Sequence, residues 1–355
     1  MSAHSKANGA YRSTRKRLLV CALLMTAIAF NATAQEVPYR ILKTIRPGGA
    51  GGFDYVYADE AGRNLYVPRR GDSGRITVFD LDSLEHVGDI LNVNAHGVAV
   101  SSKSMHGFAT SKPVAMWDTR TLAPIKTIDV EGAPDGILYD AFNDRVYVFS
   151  HKAPNATVIN ASDGSVLGVI DLGGAPEQAV ADGQGRIYVD IEDKDSIAVI
   201  DAATMDVRSH YDLAGLGGRC AGLAMDIANQ ILFASCRNPH TMVILSARDG
   251  KIITALPIGQ GTDGAAFDPN TMEAFSSQSD GTLTVIKENS PTSFLIEQTV
   301  QTTRNAKTLT LDTRTNRVFL IAAEFGPSPT TQQTGGYIRR GPMVPDSFSI
   351  LEIGK

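Results

Sequence analysis

The sequence predicts an all-β protein, a seven-bladed β-propeller of four-stranded antiparallel blades whose last blade is completed by an N-terminal strand. Three observations predict it. A six-residue segment recurs seven times at near-constant spacing, each unit holds four short apolar runs separated by turn residues, and the two chain ends supply complementary parts of one unit.

The recurring segment reads DYVYAD, HGVAVS, DGILYD, EQAVAD, AGLAMD, DGAAFD and KTLTLD. It begins at Asp54, His96, Asp135, Glu177, Ala221, Asp263 and Lys307, with spacings of 42, 39, 42, 44, 42 and 44 residues. After it comes a turn rich in Asp, Asn and Gly, such as EAGRN or AFNDR, and then a β-branched or aromatic run, such as LYVP, VYVFS or RVFLIA. A third run follows (ITVFD, ATVIN, IAVID) and then a fourth (IKTIDV, LGVIDL, ITALPI). Runs this short with turn chemistry between them read as hairpin-linked strands, and nothing after residue 34 sustains the 3.6-residue period of an amphipathic helix.

The seventh unit lacks a strand. After KTLTLD, RVFLIA and SFSILEI the chain ends at Lys355, whereas YRILKTI, from Tyr39 to Ile45, has the fourth-strand pattern and no unit of its own. The two ends are therefore predicted to share one blade, which closes the ring and leaves no open sheet edge. One domain spans residues 36–355.

Residues 1–34 read as a signal peptide. Arg12, Arg15, Lys16 and Arg17 precede the apolar run LLVCALLMTAIAF, and ATA at Ala32 to Ala34 is an A-x-A cleavage pattern. The mature chain is expected to be periplasmic or secreted and monomeric, and no later stretch approaches the roughly 20 apolar residues of a membrane span. Taking the leader's five basic side chains from the chain's 33 leaves 28 against 38 acidic groups, a net charge of −10. That argues against a nucleic-acid binder relying on phosphate neutralisation.

Three stretches carry a family resemblance. LYVPRRGDSGRITVFDLDSLE, RIYVDIEDKDSIAVIDAATMD and GAPDGILYDAFNDRVYV resemble the YVTN or YncE-like propeller repeats, in which a YV strand, a VID strand and a G-x-P-x-G entry recur. The resemblance runs the length of the mature chain and implies a propeller scaffold more than any reaction. MWD at Met116 to Asp118 is similar to part of a WD repeat, but no unit pairs it with GH.

Propeller geometry turns the repeat into a map of one face. The entry residues Asp54, His96, Asp135, Glu177, Asp263 and Lys307 are expected to ring the channel mouth. Arg69, Arg70, Lys112, His151, Lys152, Glu192, Asp193, Arg237, His240, Gln278 and Glu324, from the loops after the second strands, are expected to surround them, with Arg219 beside them. This ring is read as mainly carboxylate. Asp54, His96, Asp135 and Glu177 are candidate ligands for a divalent metal, the one cofactor considered. The same groups suit general acid and base work, with like charges raising one carboxyl pKa. A plain polar rim or ligand-recognition ring is the alternative. The loop from Glu324 to Ser347, carrying Tyr337, Arg339 and Arg340, is long enough for a lid over a ligand. GGAGG at Gly48 to Gly52 reads as a flexible connector rather than a phosphate cradle.

Two functions from different classes follow. The first is a small-molecule, peptide or protein partner bound at the mouth. The second is a metal-assisted hydrolase, lactonase or lyase using the carboxylate and histidine ring.

Cys220 and Cys236 lie on the first two strands of the fifth blade. The constant number sum of an antiparallel hairpin makes them direct partners if Leu223 pairs with Phe233, at a separation that suits a disulfide. Free buried thiols and a thiolate metal site are the other readings.

Overall fold

Each repeat segment forms the innermost strand of its own blade. The computed structural model describes residues 38–327 and 341–355, which form 28 strands in seven four-stranded antiparallel sheets. One 3-10 turn, Glu192–Lys194, is present, and there is no α-helix among the described residues. None of the helical structure described is long and apolar enough to cross a membrane. The expected leader and Tyr337, Arg339 and Arg340 of the last-blade loop lie outside the described residues.

The innermost strands are Tyr57–Asp59, Val98–Ser101, Pro134–Asp140, Pro176–Ala181, Cys220–Asp226, Thr262–Asp268 and Leu309–Asp312. In blades one to six, strand order follows chain order outward. Blade seven runs Leu309–Asp312, Arg317–Ala322, Ser349–Gly354 and then Arg40–Ile45, so the N-terminal strand closes the ring as its sequence pattern predicts.

The last letter of each repeat segment builds the turn at the opposite end of the strand. Gly62 N donates to Asp59 Oδ1 at 3.0 Å, Phe142 N to Asp140 at 3.1 Å, Ala228 N to Asp226 at 2.9 Å, and Asn270 N to Asp268 at 2.9 Å. Ser101 caps its turn through Ser104 N at 3.1 Å, Asp182 through Gln184 N at 2.7 Å, and Asp312 through Arg314 N at 3.2 Å. Short polar side chains that bond backbone two or three residues on favour turns over continued strand, which ends the first strand at that letter in six blades and one residue earlier, at Ala181, in blade four.

Second and third strands are buried on both faces because each blade packs against two others. Tyr66, Tyr147, Tyr188, Phe233, Phe275 and Phe319 are essentially inaccessible. Each such side chain contributes about 1.5–3 kcal/mol by leaving water. The core is thus a set of seams between blades; in one of them the Tyr66 and Trp117 rings lie 5.8 Å apart. Outer strands are half wet, with Val87, Leu91 and Val169 exposed.

One sequence expectation about register fails. Cys220 does pair with Cys236, but Leu223 pairs with Ala234, and Phe233 pairs with Ala224. A β-bulge between Cys220 and Gly222 inserts Ala221 as an extra residue, which shifts every pair beyond it by one. Asp263 is the extra residue of a bulge in blade six, and the register also shifts around Asp135 in blade three and Glu177 in blade four.

Candidate functional site

Those bulges aim the entry residues. A bulged residue is unpaired and its side chain is turned out of the strand's alternation. Asp135, Glu177 and Asp263 point in this way at the mouth of the central channel, where Asp54, His96 and Lys307 meet them from the chain just before their strands.

The charged groups form a circuit around all seven blades. Glu192 of blade four pairs with Arg237 of blade five at 2.9 Å, and Arg237 pairs with Asp263 of blade six. Asp263 also pairs with Lys307 of blade seven, which lies 3.6 Å from Asp54 of blade one. Asp54 Oδ2 is 2.8 Å from His96 Nδ1 of blade two, and that nitrogen is 2.7 Å from Asp135 Oδ1 of blade three. His151 Nε2 then lies 3.5 Å from Asp135 Oδ2 and 3.4 Å from Glu177 Oε1, which returns the circuit to blade four. Arg70 joins at Asp54, 3.8 Å away, and Arg219 at Glu192, 3.1 Å away.

The ring is therefore not mainly carboxylate. Five acids face four guanidinium or ammonium groups and two imidazoles. Burial disfavours the charged form of His96, but hydrogen bonds to Asp135 and Asp54 outweigh it and lift its pKa to about 9. His151 is lifted to about 9, chiefly by the Glu177 carboxylate beside it, against the cost of burial. Asp54 is pushed down to about 2: burial works in the other direction, and His96, Lys307 and Arg70 overcome it. Asp54 thus lacks the raised carboxyl pKa expected of an acid catalyst.

Two candidates lie elsewhere. Arg69 is 1% exposed, and its guanidinium donates to the carbonyls of Gly48, Gly49 and Ala50 while stacking 3.7 Å from the Phe348 ring centroid. Strand alternation turns Arg69 into the seam and its neighbour Arg70 toward the mouth. The same contacts show that GGAGG presents carbonyls to a cation, which a phosphate cradle would not do, and that it is pinned rather than loose. Positive φ at Gly48, Gly49 and Gly51 makes that course accessible to glycine. Glu324 is exposed at the stem of the last-blade loop, where its backbone pairs with Val344 and Ser347, outside the circuit.

Cys220 and Cys236 form the expected disulfide, beside the mouth. It fixes the two strand ends that carry Arg219 and Arg237, and both arginines reach Glu192.

Sequence reasoning missed three residues. The residue after each entry position is Tyr55, Gly97, Gly136, Gln178, Gly222, Gly264 or Thr308. The glycines make room: a Cβ on Gly97 would stand 3.4 Å from the Tyr55 ring, and one on Gly136 would stand 3.1 Å from the Glu177 carbonyl. Tyr55 fills that space, while Gln178 accepts from Leu223 N and Ala265 N at 3.1 Å each, tying blades four, five and six. Beneath them a channel of about 340 Å³ is lined by Ala179, Ala266, Leu309 and Thr310 among others. Tyr55 and Gln178, breaking a run of glycines, were the available signal. The third is Asp190, which interrupts the apolar run RIYVDI, is wholly buried, and finds no hydrogen-bond partner for either carboxylate oxygen among the described residues. Burial first, and then the charge of Glu177, push its pKa far up.

No family model and no curated protein matches the chain. Solved structures do. The structure of U3-55K aligns with a TM-score of 0.69 at 11% identity over 88% of this chain and 98% of that one. The RRP9 WD40 repeats align at 0.70 and 11% identity over 89% and 97%. A chain of the mitotic checkpoint complex aligns at 0.70 and 10% identity over 86% and 96%. At such identity the likeness is one of fold, and it bears out the seven-bladed propeller.

Proposed function

We propose that this chain is a periplasmic or secreted propeller of the YVTN/YncE-like kind that binds a small molecule or peptide bearing a carboxylate at the channel mouth. The observation that carries the reading is the charge circuit: groups from seven blades converge on one opening, and its most exposed members are basic. The side chains of Arg70 and Arg219 are 40% and 38% exposed, against 22% for Asp54 and 10% for Glu177. An incoming carboxylate therefore meets guanidinium first, and the paired acids behind it reject a second negative group. The disulfide supports an oxidising compartment. The quoted YV and VID stretches support the repeat kind. Binding as part of a protein assembly is a form of the same reading, since propellers commonly serve as interaction scaffolds.

Calorimetry with short peptides tests it. Free-carboxylate peptides should bind, and their C-terminal amides should lose about tenfold or more. Equal binding of both, or unchanged affinity in Arg70→Ala and Arg219→Ala, would remove the reading.

A second reading, hydrolase, lactonase or lyase chemistry at the same face, draws on the separation of His151 from Asp135 and Glu177. Turnover of lactone or ester substrates that survives Glu177→Gln would count against it.

A further inference from the structure

The circuit holds two histidine and carboxylate triads that share Asp135, and they differ in kind. In Asp54, His96 and Asp135 the imidazole Nδ1 lies 2.8 Å from one carboxylate and 2.7 Å from the other, with the Arg70 guanidinium 3.1 Å away. That triad is closed by hydrogen-bond distances and holds a guanidinium, which cannot give up its proton to make way for a metal. In Asp135, His151 and Glu177 the distances are 3.5 and 3.4 Å, beyond good hydrogen bonds. His151 Nε2 is itself buried and has no hydrogen-bond partner among the described residues.

We propose that Asp135 Oδ2, His151 Nε2 and Glu177 Oε1 form a site for one divalent transition-metal ion of the zinc or manganese class, open toward the mouth. Bonds of about 2.0–2.1 Å in tetrahedral geometry place neighbouring ligand atoms about 3.3–3.4 Å apart, close to the separations here. One ligand atom from each of the three residues lies within 4.8 Å of the other two. The two carboxylates are held from behind, as metal ligands are. Asp135 uses its other oxygen toward His96, and Glu177 uses its other oxygen to accept from Tyr55 Oη at 3.3 Å. The imidazole ligand selects against calcium, which takes oxygen. Fourth and further positions stay open on the solvent side, where the His151 side chain is 33% exposed. The site rests on this triad alone and not on which carboxylate ligand the mouth takes.

The test uses the untagged full chain, stripped of metal and titrated by calorimetry with zinc chloride, manganese chloride and calcium chloride. Zinc is expected to bind at one ion per chain, and calcium is not. His151→Gln should weaken zinc by about 100-fold, whereas His96→Gln, which loses only an outer contact, should weaken it by about tenfold. Circular dichroism checks that both variants keep the β-sheet spectrum. Cobalt(II) bound to the unaltered chain needs no variant and should give the strong visible absorption of a four-coordinate ion. Absence of one-to-one zinc binding, a His151→Gln chain that binds as before, or a cobalt spectrum no different from the aqueous ion overturns the site. Peptide binding in the metal-free chain is read separately, so the loss of one proposal leaves the other standing.

Discussion

The phenol of Tyr55, on blade one, donates to Glu177 Oε2, on blade four, at 3.3 Å across the channel. Burial and then the negative charge of Glu177 raise the Tyr55 pKa well above its ordinary value, so the phenol stays a donor. Tyr55→Phe should cost about 0.5–1.5 kcal/mol of stability and weaken zinc uptake about tenfold by freeing Glu177. Urea unfolding and calorimetry on the same preparation check both; undiminished zinc affinity would show that Tyr55 positions nothing.

Neighbouring arginines should behave in opposite ways. Arg69→Met strips the carbonyls of Gly48, Gly49 and Ala50 of their donor and should cost about 2–3 kcal/mol. Arg70→Met removes a half-exposed partner of Asp54 and should cost about 0.5 kcal/mol or less. Denaturant midpoints of the two variants compare them directly, and equal losses would contradict the assignment of Arg69 to the seam.

Glu288 gives a pH dependence. It is 3% exposed, and burial together with the charge of Asp226 pushes its pKa up to about 7. In the unfolded chain it titrates near about 4.3, so between these values the folded state holds a proton that the unfolded state has lost. Stability from this group therefore falls as pH rises from about 4.3 through 7. Glu288→Gln should match the parent at pH 4 and exceed it increasingly up to pH 8 in urea melts. A gap that does not vary with pH would mean that Glu288 is already ionised in the fold at low pH.

The disulfide closes a separation of 16 residues, which by chain entropy stabilises by about 3 kcal/mol. The Cys220→Ala, Cys236→Ala double variant should melt several degrees lower, and the parent should approach it under reductant. Thiol titration of the unreduced chain should find neither cysteine free.

Legibility followed how far each signal depended on neighbours in sequence. Repeat spacing, the four runs per unit and the Asp or Ser that ends each segment are local, and they translate into blades and capped turns without loss. The shared last blade was legible as well, because an unmatched strand pattern at one end answered a missing strand at the other. Register within blade five was not: one extra residue at Ala221 leaves the Cys220 pair intact while moving Leu223 opposite Ala234. The choice between Arg69 and Arg70 needed that same knowledge of which face a strand presents. The charge balance of the mouth was hidden because each acid also meets a base from another blade, distant along the chain.

The ring closes through Arg40–Ile45 pairing with Ser349–Gly354. Arg40–Ile45 therefore has no partner until Ser349–Gly354 is present, and blade seven cannot be completed by local hairpins alone. Six blades can form from hairpins between strands adjacent in sequence, but the seam that removes the final pair of exposed edges needs the most distant strand pairing in the fold. Closing this ring thus demands the longest loop of any pairing in the fold, which places it late in folding.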